Sequence, residues 1–217
     1  MGELIDLAQR REAVQQRRTR GREPLRAQLF FDLTCPFTYL AAERVERAFA
    51  HVTWTATSSE TLQRRCLDDD AETVDHVRTA AEARASALRL PLVWPEGYPK
   101  AVPAAMRAAS FASEQGRGGA FVLAAGRLAF CGGFDLDDPE ILAEAAAAAG
   151  IGMEGCLQAV GDVTRDGEIE EAGRGLLAAG ADQLPALRVG RELFWGENRV
   201  AEAAAVARMQ AAAAARA

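Results

Sequence analysis

Lysine is almost missing from this chain, histidine is scarce and no long apolar run occurs. Lys100 stands alone beside 24 Arg, and alanine is used heavily, a coding bias of GC-rich genomes to which no mechanism attaches. No apolar stretch approaches the roughly 18 residues that span a bilayer, so no membrane helix is expected. His51 and His76 are far apart and lie near no second ligand pattern, which leaves no metal site. The four cysteines, at 35, 66, 131 and 156, lack the short paired spacings of zinc sites or of a disulfide framework. A formal charge of -6 argues against nucleic acid as a partner. Residues 1–26 nevertheless hold seven Arg against four acids, so the remainder is more acidic than the total suggests.

The chain of 217 residues, 49% hydrophobic and 26% charged, has the composition of a soluble globular protein and the length for one core with a sizeable insertion. Leu4, Ile5, Leu7, Ala8 and Val14 fall at helical spacing, with no apolar signal segment among them. The expectation is an amphipathic helical extension over 1–26 on a cytoplasmic protein. An apolar strand over 27–33 then leads to a helix over 36–50 and an alternating strand over 51–57, with Val52, Trp54 and Ala56 on one face. That is a βαβ unit, and its connection is long enough for a crossover between parallel strands. From 60 to 180 the pattern is helical, broken at Pro91, Pro95 and Pro99 and restarted at Val102 and at the acidic cap Asp138-Pro139. Gly116 to Gly119 reads as a turn, and Asp68-Asp69-Asp70 as a helix start. A helix over 168–179 is followed by strands over 185–189 and 192–195 joined at Gly190-Arg191, then by a last helix from Asn198. The fold class is α/β, a thioredoxin fold in the order βαβ…αββα with a large all-helical insertion after the second strand. The thioredoxin domain comprises 27–59 and 165–217, and the inserted helical subdomain 60–164.

Cys35 sits where the first strand stops and turns into a helix, followed by Pro36, which suits a first helical turn because its missing N–H would be unpaired there. The unpaired N–H groups and the positive end of the macrodipole favour a thiolate at that place. Cys66, Cys131 and Cys156 have no such context and read as small buried hydrophobes. Trp54 reads as core.

Cys35-Pro36-Phe37-Thr38 on this turn, the helical insertion and Gln183-Leu184-Pro185-Ala186 before the hairpin together resemble the DsbA-like thioredoxin-fold superfamily over about 27–210. Tyr39-Leu40, Met106 to Ala109, Phe134 to Leu142, and above all Leu193-Phe194-Trp195-Gly196-Glu197-Asn198-Arg199 are similar to the branch of 2-hydroxychromene-2-carboxylate isomerase and kappa-class glutathione transferase. The resemblance implies a cis peptide at Pro185 facing Cys35, and a backbone at Leu184 that pairs with glutathione or another small thiol as an added strand. It implies that Glu197 and Asn198 meet the γ-glutamyl end, although Asn198 stands where aspartate is usual. Pro36 and Phe37 complete the implied thiol-binding turn, Trp94 and Phe134 are substrate-cleft candidates from the insertion, and relatives are commonly homodimers.

A dithiol oxidase carries a second cysteine two residues after its nucleophile's neighbour, and here that place is Thr38. Three readings stay open. In the first, Cys35 is the nucleophile of a thiol oxidoreductase, Thr38 tunes its thiolate and an outside thiol releases the mixed disulfide. In the second, Cys35 and Thr38 activate a bound thiol in an isomerase or transferase. In the third, the fold is a binding module without redox function.

Overall fold

A computed structural model describes residues 26–62, 71–214 and 216. The helix expected over 1–26 lies, but for Arg26, outside these residues, as do Cys66 and the Asp68 to Asp70 run. The first three elements are β1 (Arg26–Phe31), α1 (Pro36–Ala48) and β2 (His51–Ala56), the predicted βαβ unit, followed by a 3-10 turn at Glu60–Leu62. Helices α2 (Ala71–Leu88), α3 (Pro103–Glu114), α4 (Gly118–Phe130), α5 (Pro139–Ala148), α6 (Met153–Gly161) and α7 (Arg165–Ala178) come next. The chain continues with β3 (Ala186–Val189), β4 (Glu192–Trp195), a second 3-10 turn at Glu197–Arg199 and α8 (Val200–Ala214). This is a thioredoxin-like fold, with a four-stranded sheet in the order β2-β1-β3-β4. β1 runs parallel to β2 and antiparallel to β3, and β3 is antiparallel to β4.

β1 is central, and alternate residues feed two different cores, which explains its nearly unbroken apolar run. Leu29 and Phe31 join Leu187, Val189, Trp54 and Ala56 in the larger core, which α1 and α8 also enter. Phe30 points the other way, onto Leu62, Leu176, Leu184 and Ala186, with Leu176 supplied by α7. The threonines of β2 take its second face, where Thr55 Oγ1 accepts from Gln28 Nε2 at 2.9 Å. Gly190 holds φ 58° at the first central position of the β3–β4 hairpin, a conformation open to glycine and strained for residues with a Cβ.

Among the described residues 60–180 holds no strand, as its helical pattern implies. Asp138 caps α5 by accepting from Glu140 N at 2.8 Å. The expected turn at Gly116 to Gly119 is only half right: Gly116, at φ 69°, ends the turn, while Gly118 and Gly119 already open α4. They are small because α4 must lie against β2. A Cβ on Gly119 would stand 2.8 Å from Trp54 Nε1 and also meet the Glu46 carboxylate.

Helix propensity alone favours Gly119→Ala by up to about 1 kcal/mol. Glu46 is exposed and can swing away, but Trp54 is buried and packs edge-on against Phe31, so overpacking of about 1–3 kcal/mol decides the sign. Urea unfolding of Gly119→Ala is expected to show a net loss of stability.

Candidate functional site

Cys35 is the N-cap residue of α1, with extended backbone (φ -87°, ψ 115°) and a side chain that does not cap the helix. Its N–H donates to Asp32 O at 3.2 Å, and its own carbonyl accepts from Thr38 N at 3.0 Å. The thiol, which is fully buried and in no disulfide, lies 3.6 Å from Leu184 O and donates to it. Residues 149 apart in sequence thus meet at one point. The Leu184-Pro185 peptide is cis, as the resemblance implied. A second cis peptide, Tyr98-Pro99, has no forerunner in the sequence pattern. Pro36 is buried at the first helical position, and Phe37 packs partly buried against the main core.

Thr38 is buried, and its hydroxyl oxygen accepts from Asp32 N at 3.4 Å, which fastens the start of α1 to the end of β1. Asp32, which no sequence motif marks, is the organising group of the turn. Its Oδ1 accepts from Thr34 N (2.9 Å) and Thr34 Oγ1 (2.7 Å), and its Oδ2 from Ser59 N (2.9 Å) and Ser59 Oγ (2.6 Å). Four neutral donors thus surround a carboxylate only 5% exposed, satisfying the lone pairs that burial would otherwise leave empty. From the insertion, Met106 Sδ accepts from Leu33 N at 3.3 Å.

Glu197 was expected at the γ-glutamyl end of a bound thiol. Its carboxylate is instead buried between the guanidiniums of Arg44 on α1 and Arg84 on α2, with Arg84 Nη2 at 3.3 Å from Oε1 and closer contacts from Arg44 Nη1 and Arg84 Nε. The geometry makes it a tie between the sheet end and the insertion. Asn198 beside it is exposed.

The two cleft candidates part company. Phe134 is 48% exposed and lines a narrow cleft with Leu33 and Thr34 of the turn. Trp94 sits in an aromatic cluster with Tyr98 (ring centroids 4.7 Å apart) and Phe130 (6.2 Å), and its indole N–H donates to Glu82 Oε1 at 2.8 Å. It supports the cleft wall through Tyr98 and Phe130, which line it. Tyr39 continues this cluster: it stacks on Phe130, accepts from Cys131 Sγ at 3.1 Å and donates to Pro91 O at 3.0 Å. On the other side of the turn, Asp32 and Thr34 line a wider cleft of about 230 Å³ between the sheet end, the start of α3 and α7.

A model of the DSBA-like thioredoxin domain matches residues 27–206. The chain belongs to that family. Its structure is similar to that of 2-hydroxychromene-2-carboxylate isomerase, with a TM-score of 0.71 at 16% identity over 85% of this chain and 96% of the other. It is similar also to a Streptomyces coelicolor protein assigned as a DsbA oxidoreductase (TM-score 0.67, 20% identity, 87% of this chain and 90% of the other). A third such structure is a Nitrosomonas europaea protein assigned as a protein disulfide isomerase (0.64, 16%, 87% and 98%). At these identities the likeness is one of fold. No curated protein matches the chain.

Within this DSBA-like domain two groups can be probed directly. Arg44→Met or Arg84→Met alone leaves Glu197 one cation, whereas the double variant leaves a buried charge unpaired, a cost of about 3–5 kcal/mol. Urea unfolding of the set is expected to show a double-variant loss well above the sum of the two singles.

Burial above all, and then the interaction with the Cys131 sulfur, push the Tyr39 phenol above its ordinary value near 10. A folded-state value raised above the unfolded one gives stability that is fully present below about pH 10 and is lost as pH rises beyond it. Tyr39→Phe is expected to lose about 0.5–1.5 kcal/mol at neutral pH with the Pro91 hydrogen bond, and to show a shallower decline than wild type in urea titrations above pH 10.

Proposed function

We propose that this DSBA-like protein is a single-cysteine thiol oxidoreductase in which Cys35 is the nucleophile and a small thiol completes the cycle. The observation that carries the reading is the meeting of Cys35 Sγ with the Leu184 carbonyl beside Pro185. That carbonyl holds the resting thiol, and it is also an acceptor that an incoming extended chain or a glutathione-like thiol would use in pairing as an added strand. An N–H donating to the Leu184 carbonyl shares that oxygen with the Cys35 S–H and weakens its hold on the proton. The thiol sheds its proton, its sulfur bonds to one sulfur of a disulfide, the S–S bond breaks and the other half leaves as thiolate. With Thr38 at the position of a resolving cysteine, the mixed disulfide persists until an outside thiol attacks it.

For glutathione the fit is partial. Leu184 and Pro185 offer the backbone edge, Pro36 and Phe37 the turn beside it, and exposed Asn198 a polar contact at the start of the last 3-10 turn. Glu197 is committed to Arg44 and Arg84, whose side chains remain 25% and 33% exposed and suit a ligand carboxylate better than an ammonium. When bound, such a thiol supplies the second sulfur that the turn lacks.

A second reading is favoured by the two clefts that flank the turn at Thr34, which offer room for a substrate beside a bound thiol. There Cys35 and Thr38 activate that thiol in an isomerase or transferase.

Incubation with bis(2-hydroxyethyl) disulfide followed by peptide mass analysis is expected to place a mixed disulfide on Cys35, removable by glutathione and absent in Cys35→Ala. Modification confined to Cys131 or Cys156 would overturn the reading. Retained binding of glutathione by Cys35→Ser, with no disulfide exchange by wild type, would instead select the isomerase or transferase.

A further inference from the structure

We infer that the wider cleft beside the Cys35 turn selects substrates with an apolar body and a cationic end, such as small aliphatic amines, and disfavours anionic ones. This rests on the thiol-exchange reading for its chemistry, but the selection itself is a property of the cleft wall. Asp32 and Thr34, three residues and one residue before Cys35, form one side of it, so a ligand seated there lies beside the reacting turn. The floor is apolar, with Val102, Pro103 and Met106 from the start of α3 and Ile169 from α7. Its space of about 230 Å³ suits a molecule of several heavy atoms.

Every ionisable residue of the lining is an acid: Asp32, Glu60, Asp166 and Glu170. Two are compensated from behind. Arg107 holds Asp166 through Nε (2.7 Å) and Nη2 (2.6 Å), and Arg174 stands 3.4 Å from Glu170. The other two are not: the partners of Asp32 are neutral donors, and among the described residues no cation pairs with Glu60. Asp32 is moreover nearly buried, where a charge is poorly screened by salt. An apolar hollow next to a nucleophile, carrying net negative charge on its wall, attracts a cation on an apolar stem and repels a carboxylate.

Around Glu197 the sign is reversed, since its two guanidiniums leave one positive charge in excess. The site thus offers different electrostatics to the thiol-binding edge and to the cleft.

Binding of two unreactive probes to the full chain, 2-(methylthio)ethylamine and 3-(methylthio)propionate, separates this inference from the exchange reading. Perturbation of Met106 and Ile169 methyl signals in NMR titrations is expected for the amine and not for the carboxylate. The amine is expected to weaken roughly two- to five-fold in Glu60→Gln, the scale of one exposed carboxylate. The same charge loss at Glu144, on α5, is expected to leave its binding unchanged. In exchange assays at low ionic strength, cystamine is expected to react at Cys35 faster than bis(2-hydroxyethyl) disulfide, and 3,3'-dithiodipropionate slower, with the spread narrowing in Glu60→Gln and in high salt. Equal binding of amine and carboxylate, or an amine affinity untouched by Glu60→Gln, overturns the inference even where Cys35 exchanges normally. Amine-selective binding without any exchange at Cys35 upholds the cleft's selectivity and removes the oxidoreductase reading.

Discussion

The register between β1 and β3 is the constraint on which the site depends. Gln28 pairs with Arg188, Leu29 with Leu187 and Phe30 with Ala186. Continued past the last pair, this antiparallel ladder brings Leu184 and Pro185 against the end of β1, where the chain turns into α1 at Cys35. A slip of one residue would move Leu187 and Val189 from the larger core to the face of Phe30, and Ala186 from that face into the larger core. The apolar pattern of two strands far apart in sequence therefore holds the Cys35 thiol on the Leu184 carbonyl. No local feature of the turn needs to do so.

Two buried carboxylates then fix what the sheet leaves open, and they do so by different means. Asp32 is satisfied by backbone and hydroxyl donors from Thr34 and Ser59, which knit the β1–α1 turn to the loop after β2 without adding a compensating charge. Glu197 is satisfied by two guanidiniums, one of them from the insertion, so its charge is overcompensated. Removing a partner from either leaves a desolvated charge, which is a far larger penalty than the net value of the intact contacts. These ties therefore specify arrangement more than they add stability. One leaves an uncompensated carboxylate at the turn, the other a net positive cluster at the start of the last 3-10 turn.

What is legible in the sequence is whatever is written locally. Alternation in 51–57, the helical spacing around Val45 and the Gly190-Arg191 turn each report a neighbour's position through period or backbone conformation, and the thioredoxin order follows from them. Pro185 is legible through family pattern. Asp32 is not, because an acid at a strand end gives no sign of whether it turns to solvent or into the loop, and its second clamp, Ser59, is 27 residues away. The pairing of Glu197 is hidden from the sequence pattern for a similar reason: its partner Arg84 is 113 residues off. A signal does exist there, since Arg84 lies on the same helical face as Val74, Val77, Ala81 and Leu88, and an arginine on a packing face demands a buried acid. Trp94 suggests a cleft because it falls in the insertion, but a large ring in a proline-broken segment finds Tyr98 and Phe130 first.

The burial of Cys35 bears on how a one-cysteine turn can work. A dithiol site can leave its nucleophile open because the neighbouring cysteine quickly resolves any adduct. A turn with threonine in that place has no such protection, and an open thiol would accumulate mixed disulfides with any small disulfide. Here the thiol is covered and hydrogen-bonded to the same carbonyl that an added strand would claim. Under the proposed function, an N–H arriving at the Leu184 edge shares the carbonyl with the thiol and weakens its hold on the proton, so binding at the edge favours release of the nucleophile. Coupling of this kind makes reactivity conditional on a partner that fits the edge and the cleft together, and it needs no residue beyond those the β1–β3 register already brings into contact.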